Sequence, residues 1–275
     1  MDRLDALLRR FSVRAHLFHS GTLCAATDFP EEPGTGQLHL LRRGRVRATQ
    51  AGHAAIEVSE PSLLFYSRPL THRFEPDPGL GADLACARVR IADGGANPLA
   101  DALPSLVVMP LADLADTGAL LEALFAEAFG AQCGRQAVVD RLFEVVLVRI
   151  LRRLMQTASV DVGLLAGLAH PQLARALVAM HDRPAESWSL EMLAATAGLS
   201  RSAFAETFRR VVGCTPGDYL ARWRVGLAQD LLRRGRPLKW IAGAVGYGSE
   251  AALSRAFKAH CGRTPRDWRR LAQAA

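Results

Sequence analysis

Lysine is nearly absent: of 34 basic residues only Lys239 and Lys258 are lysines, so the cationic surface is one of arginine. Cysteine patterning is missing as well. The 5 cysteines, Cys24, Cys86, Cys133, Cys214 and Cys261, are odd in number and contain no Cys-x-x-Cys pair, which argues against a disulfide framework and a zinc ribbon. No run approaches the roughly 18 apolar residues of a membrane span, and the start, Met1-Asp2-Arg3, lacks the basic-then-apolar layout of a signal peptide. These absences predict a cytoplasmic protein whose thiols are reduced at rest.

What is present is a chain of 275 residues, 49% hydrophobic and 22% charged, too long for a stapled mini-protein and too apolar for a disordered one. One or two domains with real cores follow. The net charge of +7 is unevenly placed. From residue 184 onward there are 15 Arg and Lys against 7 Asp and Glu, a balance of +8, whereas residues 1–183 hold 19 against 20. A compact basic module suits a polyanion, nucleic acid or an anionic membrane, unless it is simply a solvated face.

Residues 1 to about 110 read as an amphipathic helix (Leu4, Leu7, Leu8, Phe11) followed by short strands at Leu38–Leu41, Arg45–Thr49, Ile56–Val58, Leu63–Tyr66 and Leu84–Ile91. Glycines and prolines punctuate them, the pattern of a β-barrel or sandwich. From Leu111 the period becomes 3.6, with one helix through Leu120, Leu121, Leu124, Phe125 and Ala128 and another through Val138, Leu142, Val145, Val146, Ile150, Leu151 and Leu154. These faces either cover the β-structure or pair with a second subunit. A short helix near Val162–Leu168, a break at Pro171 and a helix ending near His181 lead to a boundary at Arg183–Ser187.

An internal repeat carries the functional signal. Leu190, Ala194 and Gly198 recur 48 positions on as Leu238, Ala242 and Gly246, while Ser200, Phe208, Gly213, Thr215 and Pro216 recur 49 on as Ser249, Phe257, Gly262, Thr264 and Pro265. Asp218 and Tyr219 return as Asp267 and Trp268. Each copy has a helix with alanine on its packing side, a glycine that ends it, a serine that caps the next helix, and an inner face of Phe204 with Phe208 or Leu253 with Phe257. That is a helix-turn-helix written twice. Two copies are too few for a solenoid, which needs about three repeats. Between them, Tyr219–Leu232 reads as one helix of roughly 21 Å at 1.5 Å per residue, suited to holding two recognition helices about one DNA turn, roughly 34 Å, apart.

The segment Trp188–Trp268 resembles the C-terminal DNA-binding domain of AraC-type transcription regulators. The likeness includes Ile241-Ala-Gly-Ala-Val-Gly-Tyr247, Arg255-Ala-Phe-Lys258 and Gly262-Arg-Thr-Pro265. It implies recognition helices at Ser200–Val212 and Ser249–His260. Side chains opposite the apolar residues then face bases: Arg201, Ser202, Ala205 and Glu206 in the first, Glu250, Ala251, Ser254 and Arg255 in the second. Arg255 suits guanine O6 and N7, and Glu206, at the equivalent place, suits cytosine N4. Arg209, Arg210, Arg222, Arg224, Lys258, Arg263 and Arg266 are candidates for phosphate contact. Cys214 and Cys261, at the ends of these helices, are expected to be inert.

Residues 1–157 are similar to the cupin-type regulatory domain of some AraC-type regulators, through Gln37-Leu-His-Leu-Leu-Arg-Arg-Gly44 and Leu63-Leu-Phe-Tyr-Ser-Arg-Pro-Leu-Thr-His72. Enzymatic cupins carry an His-x-His pair, but His39 is followed two places on by Leu41, so no metal and no other cofactor is expected. His39 and His72 either line an effector pocket or are ordinary surface histidines. The resemblance also suggests a thiol switch at Cys24 and Cys86, Arg88 and Arg90 sharing the Cys86 face and favouring its thiolate; two buried apolar thiols are the alternative.

The resulting expectation is an α+β protein: an N-terminal cupin-like β-barrel with a helical dimerisation segment (1–157), a helical linker (158–183) and an all-α domain with two helix-turn-helix motifs (184–275). It would be a non-enzymatic, sequence-specific regulator that binds double-stranded DNA as a homodimer, away from membranes, under a small-molecule or oxidant effector. A cupin enzyme tethered to DNA and a non-specific architectural protein are the rival classes.

Overall fold

The computed structural model describes residues 2–10, 13–91, 99, 102–114, 116–157 and 162–274. An opening helix α1 (Asp5–Arg10) precedes β1 (Val13–Leu23), β2 (Thr27–Phe29), β3 (Gly36–Gly44), β4 (Val46–Gln50), β5 (Ile56–Val58), β6 (Ser62–Tyr66), β7 (His72–Pro76), β8 (Ala82–Ile91) and β9 (Leu106–Pro110). Helices α2 (Gly118–Phe129), α3 (Arg135–Gln156), α4 (Leu164–Ala169), α5 (Leu173–Asp182), α6 (Leu190–Ala197), α7 (Arg201–Val212), α8 (Pro216–Arg233), α9 (Leu238–Ala244), α10 (Glu250–Cys261) and α11 (Pro265–Ala274) follow. Two compact units result, Val13–Asp93 with Leu103–Leu154, and Met1–Ser12 with Gly94–Ala102 and Met155–Ala275.

In the β-rich unit, an antiparallel five-stranded sheet runs β1-β8-β3-β6-β9 and a four-stranded sheet runs β2-β7-β4-β5. Their inner faces share one core, to which the first sheet gives Leu41, Leu64, Tyr66, Leu84 and Cys86 and the second gives Phe29, Val46, Val58 and Phe74. The expected closed barrel is not formed: among the described residues no ladder joins the two sheets. The β1 edge is satisfied by a helix instead. Where its register slips between Leu17 and His19, the Leu17 N–H donates to Asp140 Oδ1 at 2.8 Å and the Leu17 carbonyl accepts from Gln136 Nε2 at 3.1 Å, both from α3. Such side-chain pairing blunts an edge that would otherwise recruit another strand.

All five sequence-derived strands are present. Those missed, β1, β2, β7 and β9, either carry polar residues on both faces or run into proline at Pro76 and Pro110.

In the helical unit, α1 docks through buried Leu4 and Leu7, and the Arg3 guanidinium donates to the Leu168 and Ala169 carbonyls at the end of α4. Phe11, the fourth apolar position expected of this helix, lies outside the described residues.

Gly44 turns the chain between β3 and β4 at φ +95°, and a Cβ there would lie 2.2 Å from the Gly81 carbonyl oxygen and 2.8 Å from the Ala82 Cα. Both neighbours are backbone, so nothing can swing aside. Gly44→Ala is therefore expected to lower stability in thermal or urea unfolding by about 2 kcal/mol or more. Gly52→Ala, at φ +76° with open space around it, costs only the backbone term. Equal losses at the two sites would contradict the close approach.

Candidate functional site

Each helix-turn-helix is set by caps and a left-handed turn. Helix α6 begins at Ser189, whose hydroxyl accepts from Met192 N, and stops at Gly198, whose φ of +70° and ψ of +36° are left-handed. Ser200 then accepts from Ala203 N to start α7. In the second copy Gly246 at φ +86° follows α9, and Ser249 accepts from Ala252 N to start α10. These bonds satisfy donors that a helix start leaves open. Thr215 and Thr264 repeat the device downstream, each accepting from the amide of an aspartate three residues on and donating to its carboxylate, Asp218 at 2.7 Å and Asp267 at 2.6 Å.

Phe204, Phe208, Leu253 and Phe257 are fully buried, and Ala194 and Ala242 lie buried where the paired helices meet. The opposite faces are consequently outward. Arg201, Ser202, Glu206, Glu250, Ala251 and Arg255 are exposed, with Ala205 and Ser254 half-buried beside them. Arg201 is not isolated: its Nε lies 3.0 Å from Glu191 Oε1. Among the phosphate candidates, Arg209, Arg210, Arg222, Lys258, Arg263 and Arg266 are exposed. Arg224 is different. Its Nε donates to the Pro184 carbonyl at 2.7 Å, its Nη2 donates to the Glu186 carbonyl at 2.8 Å, and its guanidinium covers the Tyr247 ring. A side chain committed this way braces the 184–186 segment against α8 instead of reaching a phosphate. Neither Glu191 nor this Arg224 lock was read from the sequence, although Glu191 stands two places after a capping serine. Burial pushes the Cys214 and Cys261 thiols up, in keeping with inert thiols.

The β-rich unit brings four titratable groups, three histidines and a cysteine, into one row. Cys86 on β8 is flanked in register by His19 on β1 and His39 on β3. His72 reaches the row from β7, with its Nε2 2.9 Å from His39 Nε2. Both His39 and His72 are buried, so the surface reading of this pair is corrected. Aromatic rings surround them. His72 lies between Tyr66, at 3.7 Å centroid separation, and Phe29, at 5.3 Å, while Phe74 packs at 4.7 Å from His39. His72 Nδ1 is 3.0 Å from the Leu70 carbonyl and must donate to it, so its Nε2 accepts and His39 Nε2 donates. That leaves His39 Nδ1 a bare acceptor, without a partner like the buried His19 Nε2 and Gln37 Oε1. Among the described residues no group of three or more His, Cys, Asp or Glu is placed to hold a metal ion.

The cysteine switch does not fit this geometry. Cys24 is exposed and Cys86 buried. The register Leu23↔Ala82 sets Cys24 at least four residues along the strand from Cys86, roughly 13 Å at about 3.3 Å per residue, where a disulfide spans Cα atoms only about 7 Å apart. Burial also pushes the Cys86 thiol up, against the thiolate expected from Arg88 and Arg90. Arg88 is engaged elsewhere, with Glu32 and over the Phe18 ring.

Burial lowers His72 from 6.5 to about 4, and burial, aided by the neighbouring His72 and His19, holds His39 well below 6.5. Both are neutral when folded, so the unfolded chain takes up their protons first. Stability from this pair is full above about pH 6.5 and falls as the pH drops toward 4. Urea midpoints should decline across that window, and His39→Phe/His72→Phe should flatten the decline. An unchanged slope in the double variant would refute the assignment.

The family described as Cupin matches residues 2–156, and that described as Helix-turn-helix domain matches residues 193–271. A putative AraC-like transcription regulator of Streptomyces lividans is 34% identical over 98% of this chain and 98% of its own length. One of Streptomyces antibioticus is 34% identical over 98% and 99%. The crystallised DNA-binding domain of AdpA, a global transcriptional factor in complex with a target DNA, is 31% identical over 38% of this chain and 94% of that one, at a TM-score of 0.36. Two capped helix-turn-helix copies with outward polar faces, beside a cupin region, make the chain a member of the AraC-type family of DNA-binding transcription regulators.

Proposed function

We propose that this regulator reads duplex DNA in a sequence-specific manner with α7 and α10 in successive major-groove segments, as a homodimer, under a small-molecule effector. The observation that carries the reading is the pair of capped helices whose apolar faces are buried and whose polar faces are outward. Helix α8 between them has 18 residues, a strut of roughly 27 Å at 1.5 Å per residue. Arg255 donates two hydrogen bonds to guanine, an arrangement worth about 1–3 kcal/mol of discrimination. Arg201 is the donor on α7, Glu206 and Glu250 are acceptors for cytosine N4, and Ser202, Ala205, Ala251 and Ser254 make the small contacts. Arg209, Arg210, Arg222, Lys258, Arg263 and Arg266 supply affinity through phosphates.

Support for an effector site near His39 and His72 comes from the orphaned buried polar atoms of His19, Gln37 and His39, which a polar ligand would satisfy. Ligand binding there would shift which domain arrangement is populated. The homodimer rests on α3, where Val138 and Val145 are each 45% exposed with Leu142 half-buried between them, at the 4-then-3 spacing of a helix–helix seam.

Arg255→Ala is expected to relax preference at one base pair, whereas Arg266→Ala weakens every duplex alike and lowers the salt slope of binding by about 0.9. Equal weakening of all sequences by Arg255→Ala would favour the architectural reading. Val145→Asp should shift the sedimentation profile toward monomer; an unchanged profile would remove α3 from the interface.

A further inference from the structure

The two recognition helices carry the same residue types in opposite order. Along α7 the outward set runs Arg201, Ser202, Ala205, Glu206; at the equivalent places of α10 it runs Glu250, Ala251, Ser254, Arg255. Both charges and the hydroxyl have changed ends. The support beneath the first position has changed with them, since the equivalents of Glu191 and Ser189 are Lys239 and Pro237.

In the first copy a capped helix start and an ion pair lie side by side. Ser189 accepts from Met192 N at 3.2 Å, and the Glu191 carboxylate, two places on, forms an ion pair with Arg201, Nε to Oε1 3.0 Å. The carboxyl of Glu191 is held below its usual range by its own backbone N–H, by Ser189 and by Arg201. In the second copy Pro237 makes no side-chain cap, and among the described residues no ion pair joins Lys239 to Glu250. The first position of α7 is thus a braced donor. That of α10 is an unbraced acceptor.

A guanidinium ion-paired on its Nε side keeps its two-nitrogen end available, a flat fork of parallel donors that matches guanine O6 and N7. A carboxylate at the equivalent point accepts from an exocyclic amine such as cytosine N4. An exposed ion pair adds little to stability, so the consequence of Glu191 is orientation.

We propose that one chain reads two sub-sites whose equivalent base pairs are turned end for end, with Glu191 as the positioning residue for Arg201. Guanine faces Arg201 where cytosine faces Glu250, and cytosine faces Glu206 where guanine faces Arg255. The duplicated protein therefore recognises DNA that is not a direct repeat. This rests on the reading of α7 and α10 as recognition helices.

The test is selection of duplexes from a randomised pool by the full-length protein, repeated with Arg201→Ala, Glu191→Gln and the double variant. The expected wild-type product holds two sub-sites with reversed guanine and cytosine order. Arg201→Ala relaxes one base pair by roughly 10-fold, Glu191→Gln relaxes the same pair less severely and no other, and the double variant loses no more than Arg201→Ala. A direct repeat, a base preference untouched by Glu191→Gln, or an even loss across all positions would overturn the proposal while leaving sequence-specific binding intact. A pool with no enriched sequence would overturn both.

Discussion

Burial of four side chains, Phe204 and Phe208 in α7 and Leu253 and Phe257 in α10, decides which faces of these helices meet solvent. Each pair is spaced i, i+4, so it lies on one stripe of a 3.6-residue helix and is worth about 1.5–3 kcal/mol per side chain removed from water. Rotating either helix by one residue would expose a ring and bury a charge. With that rotation forbidden, Arg201 and Glu206, or Glu250 and Arg255, have only the outward side left. The serine caps and the left-handed glycines then fix where each helix starts, and so how far along its outward face each polar side chain falls.

Much of this helical unit could be read from spacing, because repetition doubled every signal. Ser200 and Ser249, with Gly198 and Gly246, mark the same boundaries twice, and α7 and α10 begin one residue after those serines; the helix expected over Tyr219–Leu232 instead starts at Pro216, behind the Thr215 cap. Contacts between side chains remote in sequence were not legible. Arg224 looked like any other exposed arginine of a basic module, and its bonds to the Pro184 and Glu186 carbonyls depend on how a loop 40 residues earlier returns to α8. Glu191 carries no signal of its own in the sequence, because it belongs to α6, the helix before the one whose outward face it supports.

The β-rich unit was harder to read for a physical reason. Its edge and short strands lack clean alternation, β1 because it slips register at Leu17 and carries two histidines, β7 because it opens on His72 and ends on Pro76. Sheet closure is a property of strand partners, not of strand existence, so a barrel and two facing sheets produce the same sequence pattern. The cysteine expectation failed similarly, since Cys86 proves to be a core residue between His19 and His39. What pairing reveals is a polar row in an apolar sandwich. Its orphaned nitrogens and the Gln37 amide oxygen are buried polar atoms without a partner, each carrying a desolvation cost.

The proposed function gives the basic excess of the last third and the outward faces of α7 and α10 separate roles. In the reading proposed above, arginines off the outward faces of α7 and α10 supply grip, whereas acidic side chains on those faces oppose indiscriminate binding. Hydroxyl-radical footprinting of the full-length protein on a selected duplex measures the central claim directly. The account predicts, for each chain, two protected patches on one face of the DNA, about 10 base pairs apart as in paired helix-turn-helix docking. A single patch per chain, or uniform protection along the duplex, would contradict it.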